Sequence, residues 1–170
     1  MRWILYASIS IVAVVAIIVV VGAMLPKSHT ATRQARFRQS PEALFAVVSG
    51  MPDWRPSIKK YEALPPVDGR QRWRETTSWG DAVLYELMES TPPFRRRTRI
   101  ADPSLPYGGT WTFHLSPEGD STMLRITEDG EVRNVVFRFL SRFVFGHTGN
   151  IEGYLRELGA KVGETVAIER

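Results

Sequence analysis

Two glutamates, Glu75 and Glu128, fall on predicted strand faces whose other members are largely apolar, and carboxylates in such places are candidates for chemistry. An ionised carboxylate that faces an apolar cavity is costly unless a counter-charge accompanies it. Arg96 alternates with Thr98 and Ile100 on a nearby predicted strand, so it is a candidate counter-charge. We expect these groups to lie near water at strand ends or to form a structural ion pair. The functional alternative is that one glutamate orients the polar end of a ligand or acts as an acid or base.

Aromatic side chains share these predicted strand faces. Rings bury large areas, so a cavity lined with them suits a flat or acyl-chain ligand, although ordinary core packing gives the same pattern. The sequence assigns no catalytic residue. The candidate ligand-binding residues are Trp73, Glu75, Trp79, Arg96, Trp111, Phe113, Ile126, Glu128 and Phe143.

Several reaction classes lack the residues they need. There is no Cys, which excludes disulfides, thiol nucleophiles and Cys-ligated metals. The histidines His29, His114 and His147 are far apart in the sequence, and no pair has metal-ligand spacing. Nucleophile-elbow, dinucleotide-binding and phosphate-loop motifs do not occur in the sequence. We therefore expect neither a metal nor a cofactor.

The densest basic run is Arg95-Arg96-Arg97 with Arg99. Arg95, Arg97 and Arg99 share one strand parity, which is typical of a solvated strand face, and contact with anionic lipid headgroups is the alternative. The formal net charge of +4 is modest. We expect no nucleic-acid partner.

The stretch from Trp3 to Pro26 carries no charged residue and is rich in Ile, Val and Ala. About 20 apolar residues cross a bilayer as a helix, so the stretch predicts a single-pass membrane anchor that stands apart from the domain. A cleaved signal peptide, with Val21-Gly22-Ala23 as the cleavage site, and a buried core helix are the alternatives. The expected divisions are an anchor over 1–26, a linker over 27–30, one ligand-binding domain over 31–163 and a tail over 164–170.

Basic residues on the two sides of the stretch predict which side of the membrane the domain occupies. Arg2 precedes the stretch, and four basic residues follow it: Lys27, Arg33, Arg36 and Arg38. This count places the domain in the cytoplasm. The three arginines belong to a predicted strand, however, and without them the two sides are nearly balanced. We favour a cytoplasmic domain, and the sequence does not indicate an oligomeric state.

The remaining chain predicts a strand, a short helical region, about six strands joined by hairpin-length turns, and a long C-terminal helix. Ser40-Pro41-Glu42 opens the first helix with an N-cap serine and a proline at the first helical position. Short connections between strands are typical of an antiparallel meander. The order predicts an α+β fold in which a curved antiparallel sheet wraps the long helix.

The C-terminal helix follows a strand at 121–127 that Glu128-Asp129-Gly130 is expected to end as a turn. Apolar residues then recur at helical spacing over 135–162. We expect residues 135–145 to dock an apolar stripe on the sheet. Gly146 and Gly149 are expected to loosen or kink the helix.

Four segments carry a family resemblance by their order and spacing. They are Ser40-Pro41-Glu42-Ala43-Leu44-Phe45, Met51-Pro52-Asp53-Trp54-Arg55-Pro56, Gly108-Gly109-Thr110-Trp111-Thr112-Phe113 and Leu124-Arg125-Ile126-Thr127-Glu128. With them the chain resembles the START-related helix-grip superfamily, or SRPBCC, and within it the polyketide cyclase/dehydrase-like members. The resemblance covers roughly residues 30–163 and leaves the anchor outside. It implies a helix-grip fold that holds a hydrophobic ligand between sheet and helix; some such relatives are cyclases and others carry lipids.

Three functions fit this sequence. We favour a membrane-anchored domain that binds a hydrophobic small molecule or lipid in a cavity. The runner-up is a cyclase- or dehydrase-type enzyme acting on a similar ligand. The third is a membrane-tethered interaction module with a filled core. The first two predict a cavity of several hundred cubic ångströms, and the third predicts dense packing throughout.

Overall fold

The computed structural model describes residues 2–170, except the side chain of Leu5. The elements in chain order are α1 Arg2–Met24, β1 Ser28–Phe37, α2 Pro41–Ser49, β2 Ile58–Val67, β3 Arg70–Thr77, β4 Ala82–Thr91, β5 Arg95–Ile100, β6 Tyr107–Glu118, β7 Ser121–Val132, α3 Val135–Leu140, a π-helical turn Ser141–Phe145, α4 Gly149–Lys161 and β8 Ile168–Glu169.

The eight strands form one sheet in the order β2-β3-β4-β5-β6-β7-β1-β8, and every neighbouring pair is antiparallel. Strands β2 to β7 follow one another as hairpins, and β1 pairs with β7. Pro65 and Pro66 lie in β2, an edge strand of the sheet. Prolines are tolerated there, because no strand on the outer side needs a hydrogen bond from the N–H that proline lacks. The predicted α+β architecture with an antiparallel sheet is confirmed.

Alternating strand directions give the sheet two distinct ends. The end at which β1 begins, next to α1, is here called the anchor end. The turn between β3 and β4, which contains Trp79, and the loop between β5 and β6 lie at this end. The turns between β2 and β3 and between β6 and β7 lie at the opposite end, here called the far end.

Two helices cover one face of the sheet. Helix α4 buries Ile151, Leu155 and Leu158 completely, in one core with the inward side chains of β1, β6 and β7. Helix α2 adds Leu44, Phe45 and Val48 to the same core. It begins as predicted, because the Ser40 side chain accepts a hydrogen bond of 3.2 Å from the Ala43 amide.

The predicted C-terminal helix is two helices. The expected interruption at Gly146 and Gly149 is present, but it is a full break: α3 widens into the π-helical turn and stops at Gly146, and α4 begins at Gly149. Gly146 has φ 71° and ψ 177°, a backbone conformation that is essentially restricted to glycine. The prediction that residues 135–145 dock on the sheet is wrong, because α4 takes that place and α3 packs against α1.

Three boundaries also differ from the predictions. The expected turn at residues 128–130 is wrong: β7 continues to Val132 because β1 and β6 pair with it there, for example Asp129 with Thr30 and Gly130 with Gly109. Residues 28–30 of the expected linker belong to β1. In the expected tail, residues 168–169 form β8, which pairs with Gln34 and Ala35 of β1.

Helix α1 is continuous as predicted, but it does not stand apart from the domain. Gly22 in its last two turns lies directly against the Val135 carbonyl of α3. The Arg138 guanidinium, only 5% exposed, donates hydrogen bonds to the carbonyls of Gly22 at 3.0 Å and Leu25 at 3.2 Å. It also bonds the carbonyls of Val132 and Arg133. A cation at the C-terminus of a helix is favourable, so Arg138 caps α1 and joins it to the domain.

Candidate functional site

A cavity of about 620 Å³ lies between the sheet and helix α4. This volume falls within the usual range of small-molecule sites. Its walls come from strands β2 to β7, from α2 and α4, and from the segment between α2 and β2. It extends to the anchor end, where Phe137, Phe145 and His147 lie on one side of its mouth and Trp79 on another.

Aromatic rings form the apolar walls. Trp73 stacks on Tyr85 with ring centroids 5.6 Å apart, and Phe113 packs against Tyr154 of α4 at 5.4 Å. Trp111 meets the same Tyr154 ring edge-on at 5.9 Å. Strand alternation sends these side chains to one face of the sheet, as the sequence predicts. Trp73, Trp111 and Phe113 all line the cavity.

Glu75 sits in the wall with both oxygens engaged. Its Oε1 accepts a hydrogen bond of 2.9 Å from Trp73 Nε1, and its Oε2 pairs with Arg55 Nη1 at 3.3 Å. Arg55 also bonds Glu157 of α4 at 3.2 Å and lies over the Tyr154 ring. The expected counter-charge, Arg96, is therefore not the direct partner of Glu75. Arg55 has this role because the segment between α2 and β2 folds across the opening between β3 and α4.

Arg96 has a different role in the wall. It donates to the Val48 carbonyl at 3.0 Å and its guanidinium lies 5.1 Å from the centroid of the Trp73 ring. Burial lowers the pKa of Arg96 from its ordinary value, against an opposing effect of Tyr154 and Glu75. The side chain thus places a positive charge beside the cavity without a directly bonded carboxylate.

Glu128 is the carboxylate with unused bonding capacity. Burial raises the pKa of Glu128, while a hydrogen bond from the Trp111 indole acts in the opposite direction. Its Oε2 is buried, and among the described residues it has no hydrogen-bond partner. Its Oε1 lies 3.6 Å from His29 Nε2, which is too long for a hydrogen bond. Glu128 is therefore free to accept a proton or to bond a polar group in the cavity.

Two histidines stack beside Glu128 at the mouth of the cavity. The His29 and His147 rings have centroids 3.8 Å apart. Burial lowers the pKa of both imidazoles, with His147 adding to the effect on His29 and Arg142 adding to the effect on His147. Gly130 makes room for them, since a Cβ at this position would collide with the His29 ring.

Two buried phenols complete the polar lining. Burial raises the pKa of Tyr154 to about 12, and the Arg55 and Arg96 charges act against this rise. Burial also raises the pKa of Tyr85, and the Glu75 charge raises it further. Both phenols therefore stay protonated at neutral pH and are hydrogen-bond donors in the cavity wall.

The remaining candidates from the sequence lie in three different places. Trp79 is on the rim of the cavity, with 91% of its surface exposed. Ile126 is fully buried in the hydrophobic core and does not line the cavity, so its assignment to the site is wrong. Phe143 is also outside the lining: its ring packs against Phe139, with ring centroids 4.9 Å apart, and it is otherwise exposed.

Sequence reasoning missed Arg55, Tyr85, Tyr154 and the histidine pair. Arg55 lies inside the Met51-Pro52-Asp53-Trp54-Arg55-Pro56 segment, whose prolines indicate a fixed conformation but not a partner. His29 and His147 are separated by more than a hundred residues, and only the fold brings them together. Within the described residues, no group of three His, Cys, Asp or Glu side chains is arranged to hold a metal.

No protein-family model matches the chain, and no curated protein matches it. Solved structures do match. Norcoclaurine synthase from Thalictrum flavum has a TM-score of 0.63, covering 81% of this chain and 88% of its own, at 14% identity. A START superfamily protein from Mycobacterium smegmatis has a TM-score of 0.63, covering 79% and 97%, at 19% identity.

A third structure, the di-domain ARO/CYC StfQ from the steffimycin biosynthetic pathway, has a TM-score of 0.62 over 80% of this chain and 52% of its own, at 16% identity. This chain thus spans about half of that protein. At these identities the likeness is one of fold, and it agrees with the resemblance drawn from the four sequence segments. The domain has the helix-grip fold.

Proposed function

We propose that this protein is a membrane-anchored domain that binds a hydrophobic small molecule or lipid in the cavity between the sheet and α4. The observation that carries the proposal is the cavity itself: about 620 Å³ with aromatic walls and a few polar groups. A membrane-tethered interaction module with a filled core would not contain such a space. One structure of the Thalictrum flavum enzyme is in complex with dopamine and hydroxybenzaldehyde, which supports a ligand site in this fold.

The polar lining indicates an amphiphilic ligand. Trp54 Nε1, a buried donor, and Glu128 Oε2, a buried acceptor, both lack partners among the described residues. An unpartnered buried polar group costs free energy that a ligand can recover. In this proposal Trp73, Trp111 and Phe113 contact the apolar part of the ligand, Glu128 and Arg96 face its polar part, and Trp79 lies at the entrance.

Helix α1 supports the membrane part of the proposal. It has 23 residues and is long and apolar enough to cross a bilayer. At 1.5 Å per residue it spans about 34 Å, slightly more than a typical hydrocarbon core of about 30 Å. Exposed Lys27 and buried Arg138, which bonds the carbonyls of Gly22 and Leu25, lie at its C-terminal end, which favours the cytoplasmic side for the domain.

A cavity-filling variant tests the binding site. Gly153 of α4 lines the cavity, and a Cβ at this position meets open space. Gly153→Phe should fill the site and still fold, because almost any residue suits a helix interior better than glycine. Ala160→Phe is the matched control, since Ala160 is exposed on the same helix.

The measurement is native mass spectrometry of the detergent-purified full chain. We expect a co-purifying lipid or small molecule in the native protein and in Ala160→Phe, and its loss in Gly153→Phe. If all three proteins carried the same amount of the bound molecule, the molecule would not be held in the cavity, and the proposal would be wrong.

A second candidate, an enzyme on the same ligand, is favoured by one observation. Glu128 has a raised pKa and faces His29, so the two form a candidate acid–base pair beside the aromatic wall. Incubation of the native protein with the molecule it co-purifies with should then yield a product that differs in mass or, for an isomer, in chromatographic retention. Glu128→Gln should keep the molecule bound and abolish that product. If the native protein changes neither the mass nor the retention of the molecule, the enzyme candidate is wrong and only binding remains.

A further inference from the structure

The segment that joins the sheet to α4 presents an apolar surface to the outside. Its members are Val136, Phe137, Phe143, Val144 and Phe145, here called the α3–π face. Phe145 is 67% exposed and Val144 is 62% exposed. Adjacent exposed aromatic and aliphatic side chains of this kind mark a surface that contacts a membrane or a protein.

The position of this face is fixed by α1. Gly22 lies against the Val135 carbonyl, and Arg138 bonds the carbonyls of Gly22 and Leu25 where α1 ends. A helix of 23 residues that crosses a bilayer leaves the hydrocarbon near its last turn. The α3–π face is therefore held where α1 would leave the hydrocarbon, at the depth of the membrane interface.

The mouth of the cavity opens on the same side. Phe137 and Phe145 belong both to the α3–π face and to the cavity lining. Trp79, which is almost fully exposed, lines the mouth from the turn between β3 and β4 at the anchor end of the sheet. Exposed Arg142 and Lys27 add positive charge at this end, which suits anionic headgroups.

We propose that the α3–π face and Trp79 insert into the surface of the bilayer that α1 spans, so that the cavity opens directly into the membrane. The ligand is then an amphiphile dissolved in that bilayer, and it enters laterally without passing through water. This inference rests on the membrane anchoring proposed above. Insertion also accounts for the exposed aromatic residues at the mouth, because Trp and Phe side chains are favourable at the membrane interface.

Spin labels measure this insertion directly, because the chain has no Cys and single labelling sites can be introduced freely. The full-length variants Phe143→Cys and Trp79→Cys are labelled with a nitroxide in nanodiscs of phosphatidylcholine and phosphatidylglycerol. Asp120→Cys, in the exposed turn at the far end of the sheet, reports the aqueous side. Val14→Cys in α1 reports the hydrocarbon.

We expect labels at 143 and 79 to collide with oxygen and to be protected from a water-soluble nickel chelate, as at 14 and opposite to 120. Labels at 143 and 79 that resemble 120, while 14 is in lipid, would overturn this inference and leave the anchor intact. Protection of 143 from both reagents would mean that a protein covers the face, which also overturns it. A water-exposed label at 14 would overturn the anchor and the inference together.

A charge substitution tests the route of the ligand. Phe143 does not line the cavity, so Phe143→Asp should disturb insertion and leave the binding site unchanged. We expect uptake of a dansyl-labelled fatty acid from vesicles to slow about tenfold, with the same affinity for the probe in detergent solution. Val67→Asp, at an exposed apolar site at the far end, should behave like the native protein. Equal uptake rates in the two variants would exclude entry from the bilayer.

Discussion

Glu75 and Glu128 line one cavity but have opposite surroundings. Both Glu75 oxygens are held by protein donors, from Trp73 and Arg55. Glu128 has a buried oxygen without a partner in the described chain, and burial raises its pKa. At the scale of single residues, Glu75 therefore stabilises the wall, and Glu128 is the carboxylate available to a ligand.

The raised pKa of Glu128 predicts a pH-dependent stability difference. Between the ordinary value of 4.5 and the higher folded value, the folded protein holds a proton that the unfolded chain has released. Stability from this group is thus fully present below pH 4.5 and is lost as the pH rises through that window. Glu128→Gln removes the loss, so we expect its melting temperature to exceed that of the native protein by a few degrees at pH 8 and to match it at pH 4.

The control for this experiment is Glu89→Gln, which changes a half-exposed carboxylate, paired with Arg95 near the surface, by the same single atom. Its melting temperature should follow the native protein at both pH values. A Glu128→Gln curve that runs parallel to the native curve from pH 4 to pH 8 would show that the buried carboxyl titrates normally.

The Arg55 cluster predicts an order of destabilisation. Arg55→Met leaves Glu75 and Glu157 without their shared cation, and breaking such a pair costs about 3 kcal/mol, near the lower end of the usual range because the groups keep some exposure. Glu75→Gln keeps the acceptor for Trp73 and leaves Arg55 its second carboxylate, so we expect about 1 kcal/mol. Urea unfolding of both variants measures the order. Glu75→Gln should also bind the co-purifying molecule within about twofold of the native protein; a much larger loss would make Glu75 a ligand contact.

Strand parity predicts which side chains share a face of the sheet, because side chains alternate along a strand. It puts Trp73, Glu75, Trp111 and Phe113 on one face, and in the structure all four line the cavity. It could not distinguish the cavity from the packed core, and Ile126 was assigned to the wrong one. Partners such as Arg55 for Glu75 depend on how a loop crosses the sheet, which no local pattern specifies.

At the scale of elements, the break between α3 and α4 predicts opposite effects for its two glycines. Gly146 has positive φ, so Gly146→Ala should destabilise the protein by about 1–3 kcal/mol. Gly149 begins α4 without a positive φ, and a Cβ added there would meet open space, so Gly149→Ala should be neutral or stabilising by up to about 1 kcal/mol. Thermal unfolding distinguishes them. If the two substitutions changed the melting temperature equally, α3 and α4 would form one continuous helix in solution.

The helical periodicity over 135–162 is present in the structure, but it belongs to two helices that pack against different partners. Helix α4 directs its apolar residues to the sheet, whereas α3 packs beside α1 and exposes the rest of its apolar surface. A sequence pattern records that a face is apolar and not what covers it. The extension of β7 past Gly130 was missed for a related reason: pairing with strands on both sides outweighs local turn residues.

At the scale of the whole molecule, Arg138 predicts how firmly α1 and the domain are joined. Arg138→Met removes four hydrogen bonds to carbonyls, including the two that close the end of α1. A hydrogen bond to a charged group contributes about 1.5–3 kcal/mol, but water can bond most of the carbonyls that Arg138 leaves. We therefore expect the free energy of unfolding to fall by about 3 kcal/mol in total. Trypsin should then cleave after Lys27 faster in nanodiscs. Arg142→Gln, an exposed neighbour, is the control, and equal cleavage of both variants would contradict a clamping role.

Only three residues, 25–27, separate the end of α1 from the first paired residue of β1. Fully extended, they reach about 10 Å, and the hydrogen bond from Arg138 to the Leu25 carbonyl restricts their movement further. In the membrane-anchored protein proposed above, a domain held so closely cannot cross the gap to an opposing membrane. Lipid transfer would then stay within a single membrane or pass to a soluble acceptor, so transfer assays between two vesicle populations should include such an acceptor.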